Sequence, residues 1–445
     1  MKIDAALFEK AATYSHIIVT WTDDDGYPLQ TPATFTVDGE RGEVLIGSTG
    51  LPLPGDRTVN VTMSHIRPQP GTGYDQRRYI ELWGRLRARG DGYALSPARA
   101  WGWDEKTTPF FEYSERSNEQ ARRYLADLSA VQGREVKPHL SRFWTFLVAT
   151  RLPFLTATIV PVLLGIAIAA KHDHFNWWLA LLTLIGGGAI HIGLNVANDV
   201  FDTMSGADDA NVNPTQFSGG SRVIQHGLMT LRQMGTLSLG AYAVGIAIGL
   251  FLVVYRGSVP LLIVGVIGVL LSVFYTAPPL KLVHRGLGEV TTALGFGPVM
   301  VVGAYLVQTK HWSAEPFVAS IPVAILIALI LYVNEIPDRQ SDALVGKRTL
   351  PVRLSADVIT KGFLVAALCA FAAIGVSAIV GVIPLPTLLA LLALPLVPAI
   401  YRGLRAYYTS PYELMATMGK NVQLHALVGV LLVAGYGISI AVSHV

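Results

Sequence analysis

The chain has a single cysteine, Cys369, so no disulfide can form within it. That residue lies in an apolar run, where packing is its expected role. Charge is scarce as well: Asp, Glu, Lys and Arg make up 15% of the residues and the formal net charge is only +3. So weak a positive balance gives no electrostatic case for nucleic acid as a partner. Residues 1–10 lack a continuous apolar core, so no signal peptide is expected. Residues 1–130 contain no apolar run of membrane-spanning length. The remainder is the opposite. The whole chain is 51% hydrophobic with a mean hydropathy of +0.45, which puts it among membrane proteins.

Candidate spans of about bilayer length run at roughly 148–169, 177–198, 234–254, 259–277, 290–308, 316–336, 362–383, 386–401 and 424–442. The expected fold is an all-α polytopic membrane bundle of nine transmembrane helices over residues 144–445. A linker at 131–143 and a small soluble β-barrel domain at 1–130 precede it. The loops after the even-numbered spans carry Arg222, Arg232, Lys281, Arg285, Arg339, Lys347, Arg348, Arg353, Lys361, Arg402, Arg405 and Lys420. The alternate loops carry only Lys171, Arg256 and Lys310. By the positive-inside rule the first set is cytoplasmic, and the amino-terminal domain with it, on a cell (inner) membrane.

The second span ends in Asn195-Val-Ala-Asn198-Asp199-Val-Phe-Asp202, followed by Asp208 and by Gly219-Gly-Ser-Arg222. Asn195, Asp199 and Asp202 fall at i, i+4 and i+7, on one helix face. The sixth span ends in Asn334-Glu-Ile-Pro-Asp338 and Asp342, again stepping by four, and Gly346-Lys-Arg348 follows. Ionisable groups beside hydrocarbon are costly and face a polar cavity or a partner. Carboxylates clustered with amide oxygens are hard ligands suited to magnesium, which keeps coordination positions for substrate phosphates. Two such faces on one side of the membrane can hold two magnesium ions bridged by a diphosphate, with Asp199, Asp202, Asp338 and Asp342 as metal ligands.

A diphosphate also calls for basic side chains. Arg222, Lys281 and Lys347 are expected to neutralise it, with Arg151, Arg285 and Arg348 beside them. Asn195, Asn198, Asp208 and Asn334 complete the substrate-binding set. Gly219-Gly220 and Gly346 favour close backbone approach to a ligand. Lys281 and Tyr275 join the four aspartates as candidate catalytic residues. Tyr275 stands at a span end, where tyrosine is common for interfacial reasons, and both readings stay open. Arg402 and Arg405 read as ordinary positive-inside residues, and Glu289 as a helix cap. His191 is expected to hydrogen-bond across helices, and His172 and His174, on the opposite side, to be solvated.

In the amino-terminal region, 16–21, 30–37, 43–47, 59–66 and 78–88 read as strands, and 114–128 as a charged surface helix. The turns Asp25-Gly-Tyr-Pro28 and Asp38-Gly39, with Arg57-Thr-Val-Asn60 and Leu82-Trp-Gly84-Arg85, resemble the flavin-binding split-barrel family related to pyridoxamine phosphate oxidase. The resemblance implies FMN as a candidate ligand, with Arg57 reaching its phosphate. A barrel without cofactor is the competing reading, favoured by the Leu51-Pro-Leu-Pro-Gly55 insertion where ligand contacts would fall.

Residues 144–445 resemble the UbiA superfamily of intramembrane prenyltransferases. Asn198-Asp199-Val-Phe-Asp202-Thr-Met-Ser-Gly206-Ala-Asp208 is close to that family's asparagine–aspartate motif. With Gly219-Gly-Ser-Arg222 and Gly346-Lys-Arg-Thr-Leu350, it looks like the branch that prenylates 1,4-dihydroxy-2-naphthoate for menaquinone. The resemblance implies magnesium-dependent transfer of a polyprenyl group from polyprenyl diphosphate to an aromatic acceptor within the lipid bilayer. That branch often has asparagine and arginine where this chain has Glu335 and Pro337, so 4-hydroxybenzoate, a haem, a chlorin or glycerol phosphate stay open as acceptors. A membrane-anchored flavin redox protein is the rival of another class, and it leaves both acidic faces unexplained. A cation transporter would carry its polar residues deeper in the spans.

Overall fold

The computed structural model describes residues 2–443 apart from 26, 56–57, 70–72, 139 and 212. The chain divides into two compact units, Met1–Ser117 and Asn118–Val445. In the first, alternating apolar and polar residues build β1 (Ile17–Thr22), β2 (Pro28–Asp38), β3 (Glu43–Thr49), β4 (Thr58–Gln69), β5 (Gly73–Arg89) and β6 (Gly92–Asp104). They pair antiparallel in the order β1-β2-β3-β6-β5-β4, and β1 also pairs with β4, so the sheet closes on itself. Ile17, Val19, Val59, Val61, Ile80 and Leu82 alternate inward and are fully buried. Asp4 caps α1 (Ala5–Ala11), which adds Leu7 and Phe8 to this core.

Five of these strands were expected from the sequence and β6 was not. Pro97 interrupts its pattern, since proline cannot donate to a ladder. The structure accommodates it opposite Gly84, where the β5–β6 register shifts and Ala98 of β6 is the extra residue. A Cβ at Gly84 would collide with the Ser96 carbonyl oxygen, so the pairing there depends on glycine. The expected charged helix is present as α2 (Phe110–Gln132). Arg57, the candidate flavin-phosphate residue, lies outside the described residues.

Among the described residues of the second unit, eight helices are long and apolar enough to cross a membrane. They are α5 (Trp177–Ser205), α6 (Leu231–Arg256), α7 (Val259–Thr276), α8 (Gly288–Thr309), α9 (Ala314–Leu344), α10 (Ala356–Ile379), α11 (Leu385–Tyr407) and α12 (Pro411–Ser443). The first expected span is broken at Arg151, whose left-handed backbone (φ 52°) separates α3 (Arg142–Thr150) from α4 (Thr156–Lys171). That leaves α4 apolar but only 16 residues long. The eighth expected span, 386–401, is α11, which opens with 3₁₀ geometry over Leu385–Ala393.

Helix α9 is the most enclosed, with 67% of its apolar window buried, and it packs on α4, α8, α10 and α12. Helix α5 packs on α4, α6, α7 and α8, so the two helices that carry the acidic stretches share α4 and α8 as neighbours. The outer faces stay apolar, as at Leu239, Val254 and Ile379. Cys369 is on such a face: it is exposed on α10, not packed inside as expected. His172 also departs from expectation. It is half-buried, with Nδ1 2.8 Å from the Tyr305 hydroxyl and Nε2 2.9 Å from Glu315, while His174 is exposed.

Candidate active site

Asp199 and Asp202 lie in the last two turns of α5, and Asp338 and Asp342 in the last two turns of α9. Helix C-termini carry partial negative charge, so both placements add to the carboxylates' mutual repulsion and favour cations. The loop after α5 ties the two stretches together. Asn211 Nδ2 donates to Asp338 Oδ1 at 2.8 Å, the Gly219 N–H to Asp338 Oδ2 at 2.9 Å, and the Ser221 N–H to Asp199 Oδ2 at 3.0 Å. Between those two amides stands Gly220, with φ +72°; a Cβ there would lie 3.1 Å from both Asp199 Oδ1 and Asp208 Oδ2. The paired glycines are needed, and what they approach is the carboxylates.

Lys347 closes the other side. Its Nζ is 3.3 Å from Asp202 Oδ2 and 3.4 Å from Asp342 Oδ1, and His284 Nε2 is 3.9 Å from Asp202 Oδ1. Burial opposes charge on Lys347, but Asp202, Asp342 and Glu335 outweigh it and hold its pKa well above the ordinary lysine value. Burial, reinforced by Asp202 and Asp199, pushes the Asp208 carboxyl up to about 8. Burial and the nearby Lys347 lower the His284 pKa.

Asp199 Oδ1, Asp202 Oδ1, Asp342 Oδ2 and Asn334 Oδ1 are buried without hydrogen-bond partners. Among the described residues no three carboxylate, imidazole or thiol groups already converge as a metal cage. The unsatisfied oxygens are nonetheless hard donors at two negative helix ends, a set that fits magnesium.

A polar cavity of about 170 Å³ is lined by Arg151, Asn195, Asn198, Asp202, Asp208, Tyr275, Asn334, Asp338, Asp342 and Lys347, all expected from the sequence. A second, apolar cavity of about 380 Å³ among α5, α6, α7 and α8 shares His191, Leu194, Tyr275, Thr292 and Phe296 with it. The His191 Nδ1 and Thr158 hydroxyl are 2.8 Å apart, the expected bond across helices.

Four expected diphosphate ligands are not in the polar lining. Arg222 instead donates to the Asp208 carbonyl, Arg285 is exposed and donates to the Pro279 carbonyl at 3.2 Å, Arg348 is exposed, and Lys281 takes a left-handed turn (φ 44°) before His284. Asn211, His284 and Ser221, which hold the carboxylates, were not singled out from the sequence. They lie in the connections between the long helices, His284 in a short 3₁₀ turn, where the spacing of a long helix carries no signal.

This architecture defines a multi-pass membrane protein whose carboxylate-lined chamber adjoins an apolar one. The UbiA prenyltransferase family matches residues 158–437, and the chain belongs to that family. The 1,4-dihydroxy-2-naphthoate octaprenyltransferase of Bacillus subtilis is 30% identical over 203 residues, covering 46% of this chain and 63% of that protein. The chain thus spans just under two thirds of that relative's length. The 2-carboxy-1,4-naphthoquinone phytyltransferase of Synechocystis sp. is 25% identical over 305 residues, 67% of this chain and 94% of that protein. A solved UbiA homolog from Archaeoglobus fulgidus, bound to GPP and Mg2+, is 12% identical with a TM-score of 0.47, covering 66% of this chain and 99% of that one.

Proposed function

We propose that the chain transfers a polyprenyl group from a polyprenyl diphosphate to an aromatic acceptor, with 1,4-dihydroxy-2-naphthoate favoured. The observation that carries this reading is the joining of two acidic helix ends at one chamber, through Asn211 to Asp338 and through Lys347 to Asp202 and Asp342. The names of the two curated relatives, a naphthoate octaprenyltransferase and a naphthoquinone phytyltransferase, support a naphthalene-type acceptor.

In this reading Asp199, Asp202, Asp338 and Asp342 would hold magnesium, which when bound would supply positive charge to a leaving diphosphate. Arg151 and Lys347 face the cavity and bring further positive charge to the phosphates. The amides of Asn195, Asn198 and Asn334 orient the head group. The prenyl chain lies in the apolar cavity, whose lining keeps water from the allylic cation. Tyr275, in the lining of both cavities, stands where tail, head and acceptor meet. Helix α4 serves as a ninth span, and the basic loops set the acidic stretches and the amino-terminal unit on the cytoplasmic side.

The test is product mass analysis on membranes given labelled geranylgeranyl diphosphate with 1,4-dihydroxy-2-naphthoate, and with 4-hydroxybenzoate as comparison. The wild type yields the prenylated naphthoate. Asp199→Asn and Asp338→Asn lose turnover while keeping the wild-type melting temperature; near-normal turnover in both removes the metal-bridged reading.

A further inference from the structure

His191 stands at the neck between the two cavities. It lines both, together with Leu194, Tyr275, Thr292 and Phe296, and it is only 4% exposed. One of its ring nitrogens is held: Nδ1 lies 2.8 Å from the Thr158 hydroxyl. Helices α4 and α5 approach closely here, and a Cβ at Gly187, one turn before His191, would lie 3.3 Å from the Thr158 methyl. Thr158 is buried, and among the described residues its hydroxyl has no acceptor other than Nδ1. A buried hydroxyl hydrogen needs an acceptor, so Thr158 donates and Nδ1 receives. A ring nitrogen that accepts carries no hydrogen, which puts the ring hydrogen on Nε2.

That hydrogen has no protein acceptor among the described residues. The ring that bears it is steadied from another side by Phe296, whose centroid is 4.7 Å away at an interplanar angle of 66°. Phe296 belongs to a wider, π-helical turn of α8 at Gly295–Val299, an irregularity that is frequent at functional positions. The neck thus presents a fixed N–H donor beside an aromatic ring. None of the five residues common to both linings is a carboxylate, lysine or arginine. An anionic group is better served by Arg151 and Lys347 in the polar cavity, so the neck is built for a neutral oxygen on a flat ring.

We propose that His191 seats the acceptor: its Nε2 donates a hydrogen bond to the oxygen of a ring hydroxyl, and the acceptor's ring lies at the neck beside Phe296. The inference rests on the prenyl-transfer reading. There the diphosphate occupies the polar cavity and the prenyl chain the apolar one, so the allylic carbon that joins them lies at the neck. A ring fixed at that point through one oxygen keeps a carbon facing the allylic carbon, which removes orientational freedom before the bond forms. His191 binds and orients; it exchanges no proton in this role. An aromatic compound without the hydroxyl forfeits the bond and leaves Nε2–H buried and unpaired, so the neck discriminates against it.

The experiment uses the full chain in membranes. Magnesium-dependent binding of geranylgeranyl diphosphate is measured without acceptor. Then kcat and KM are measured with 1,4-dihydroxy-2-naphthoate and with 1-hydroxy- and 4-hydroxy-2-naphthoate, each lacking one hydroxyl. His191→Asn puts an amide where Nδ1 stands, so Thr158 keeps a partner, but it is too short to replace Nε2; His191→Gln reaches that place. His191→Asn is expected to raise the acceptor KM about 10-fold, the scale of one lost hydrogen bond, with wild-type donor binding and melting temperature. His191→Gln is expected to stay near the wild type. In the wild type one of the two monohydroxy acceptors carries the same penalty, and in His191→Asn neither does. The proposal is overturned if His191→Asn keeps the wild-type KM, if donor binding falls with it, or if His191→Gln is equally impaired. Equal KM for all three acceptors in the wild type overturns it without any variant. A wild type without magnesium-dependent donor binding overturns the prenyl-transfer reading itself, and the inference falls with it.

Discussion

At the scale of single residues, Lys347 has the heaviest electrostatic duty. It is 7% exposed, follows the C-terminal end of α9, and stands between one aspartate of each acidic stretch. Without its charge, Asp202 and Asp342 would face each other at two negative helix ends. Removing one partner of a buried ion pair typically costs about 3–5 kcal/mol, because the remaining charge is left uncompensated. Lys347→Met is therefore expected to lower the melting temperature in magnesium-free detergent, and magnesium is expected to restore most of it by ligand linkage. Equal melting temperatures with and without the lysine, or no response to magnesium, would show that the aspartates are not held as a charged group. Gly220 is the backbone counterpart: its left-handed φ of +72° strains any other residue, and a Cβ would crowd two carboxylates at 3.1 Å.

At the scale of elements, the start of α9 is secured as firmly as its end. The Glu315 carboxylate takes Lys171 Nζ at 2.8 Å, His172 Nε2 at 2.9 Å and the Tyr436 hydroxyl at 3.0 Å, so one side chain joins α4, α9 and α12. Glu315→Ala is expected to lower the unfolding free energy by about 3 kcal/mol, by stranding buried polar partners. Donor affinity should hold, because Glu315 and Asp338 are 23 residues apart on one helix, roughly 35 Å. A matching loss of donor binding would mean that the two ends of α9 are coupled. The contrast between these ends explains what was legible in the sequence. Asn195 and Asp202, like Asn334, Asp338 and Asp342, repeat at helical spacing at the close of an apolar run and line one polar cavity, whereas Asp199 takes the Ser221 N–H and is not in that lining. His172 and Glu315 are separated by 143 residues in sequence, and only packing brings them together. Asn211 and Ser221 act through a loop whose path no periodicity encodes. The basic residues were harder to place for a related reason: positive charge at a span end is common for orientation alone, and Arg285 and Arg348 are exposed and outside the polar lining.

For the whole molecule the open question is which way the bundle faces, and the chain carries its own means of answering it. Helix α9 runs for 31 residues, roughly 46 Å, so its two ends reach opposite faces of a bilayer. Lys310, just before it, and Arg348, just after it, are both exposed and accept a reporter without disturbing the core. The only native thiol, Cys369, is exposed on an apolar outer face of α10, so Cys369→Ser is expected to leave stability nearly unchanged and provide a thiol-free background. In that background, Arg348→Cys is expected to react with a membrane-impermeant maleimide only in inverted vesicles, and Lys310→Cys only in intact cells. The charge asymmetry of the loops predicts this sense, because Arg348 belongs to the strongly basic set and Lys310 to the sparse one. The reverse labelling pattern would put the acidic stretches outside, away from the compartment in which prenyl diphosphate would have to reach them. Labelling of both positions from one side would mean that α9 does not cross at all, and the two-helix chamber built on it would have to be abandoned.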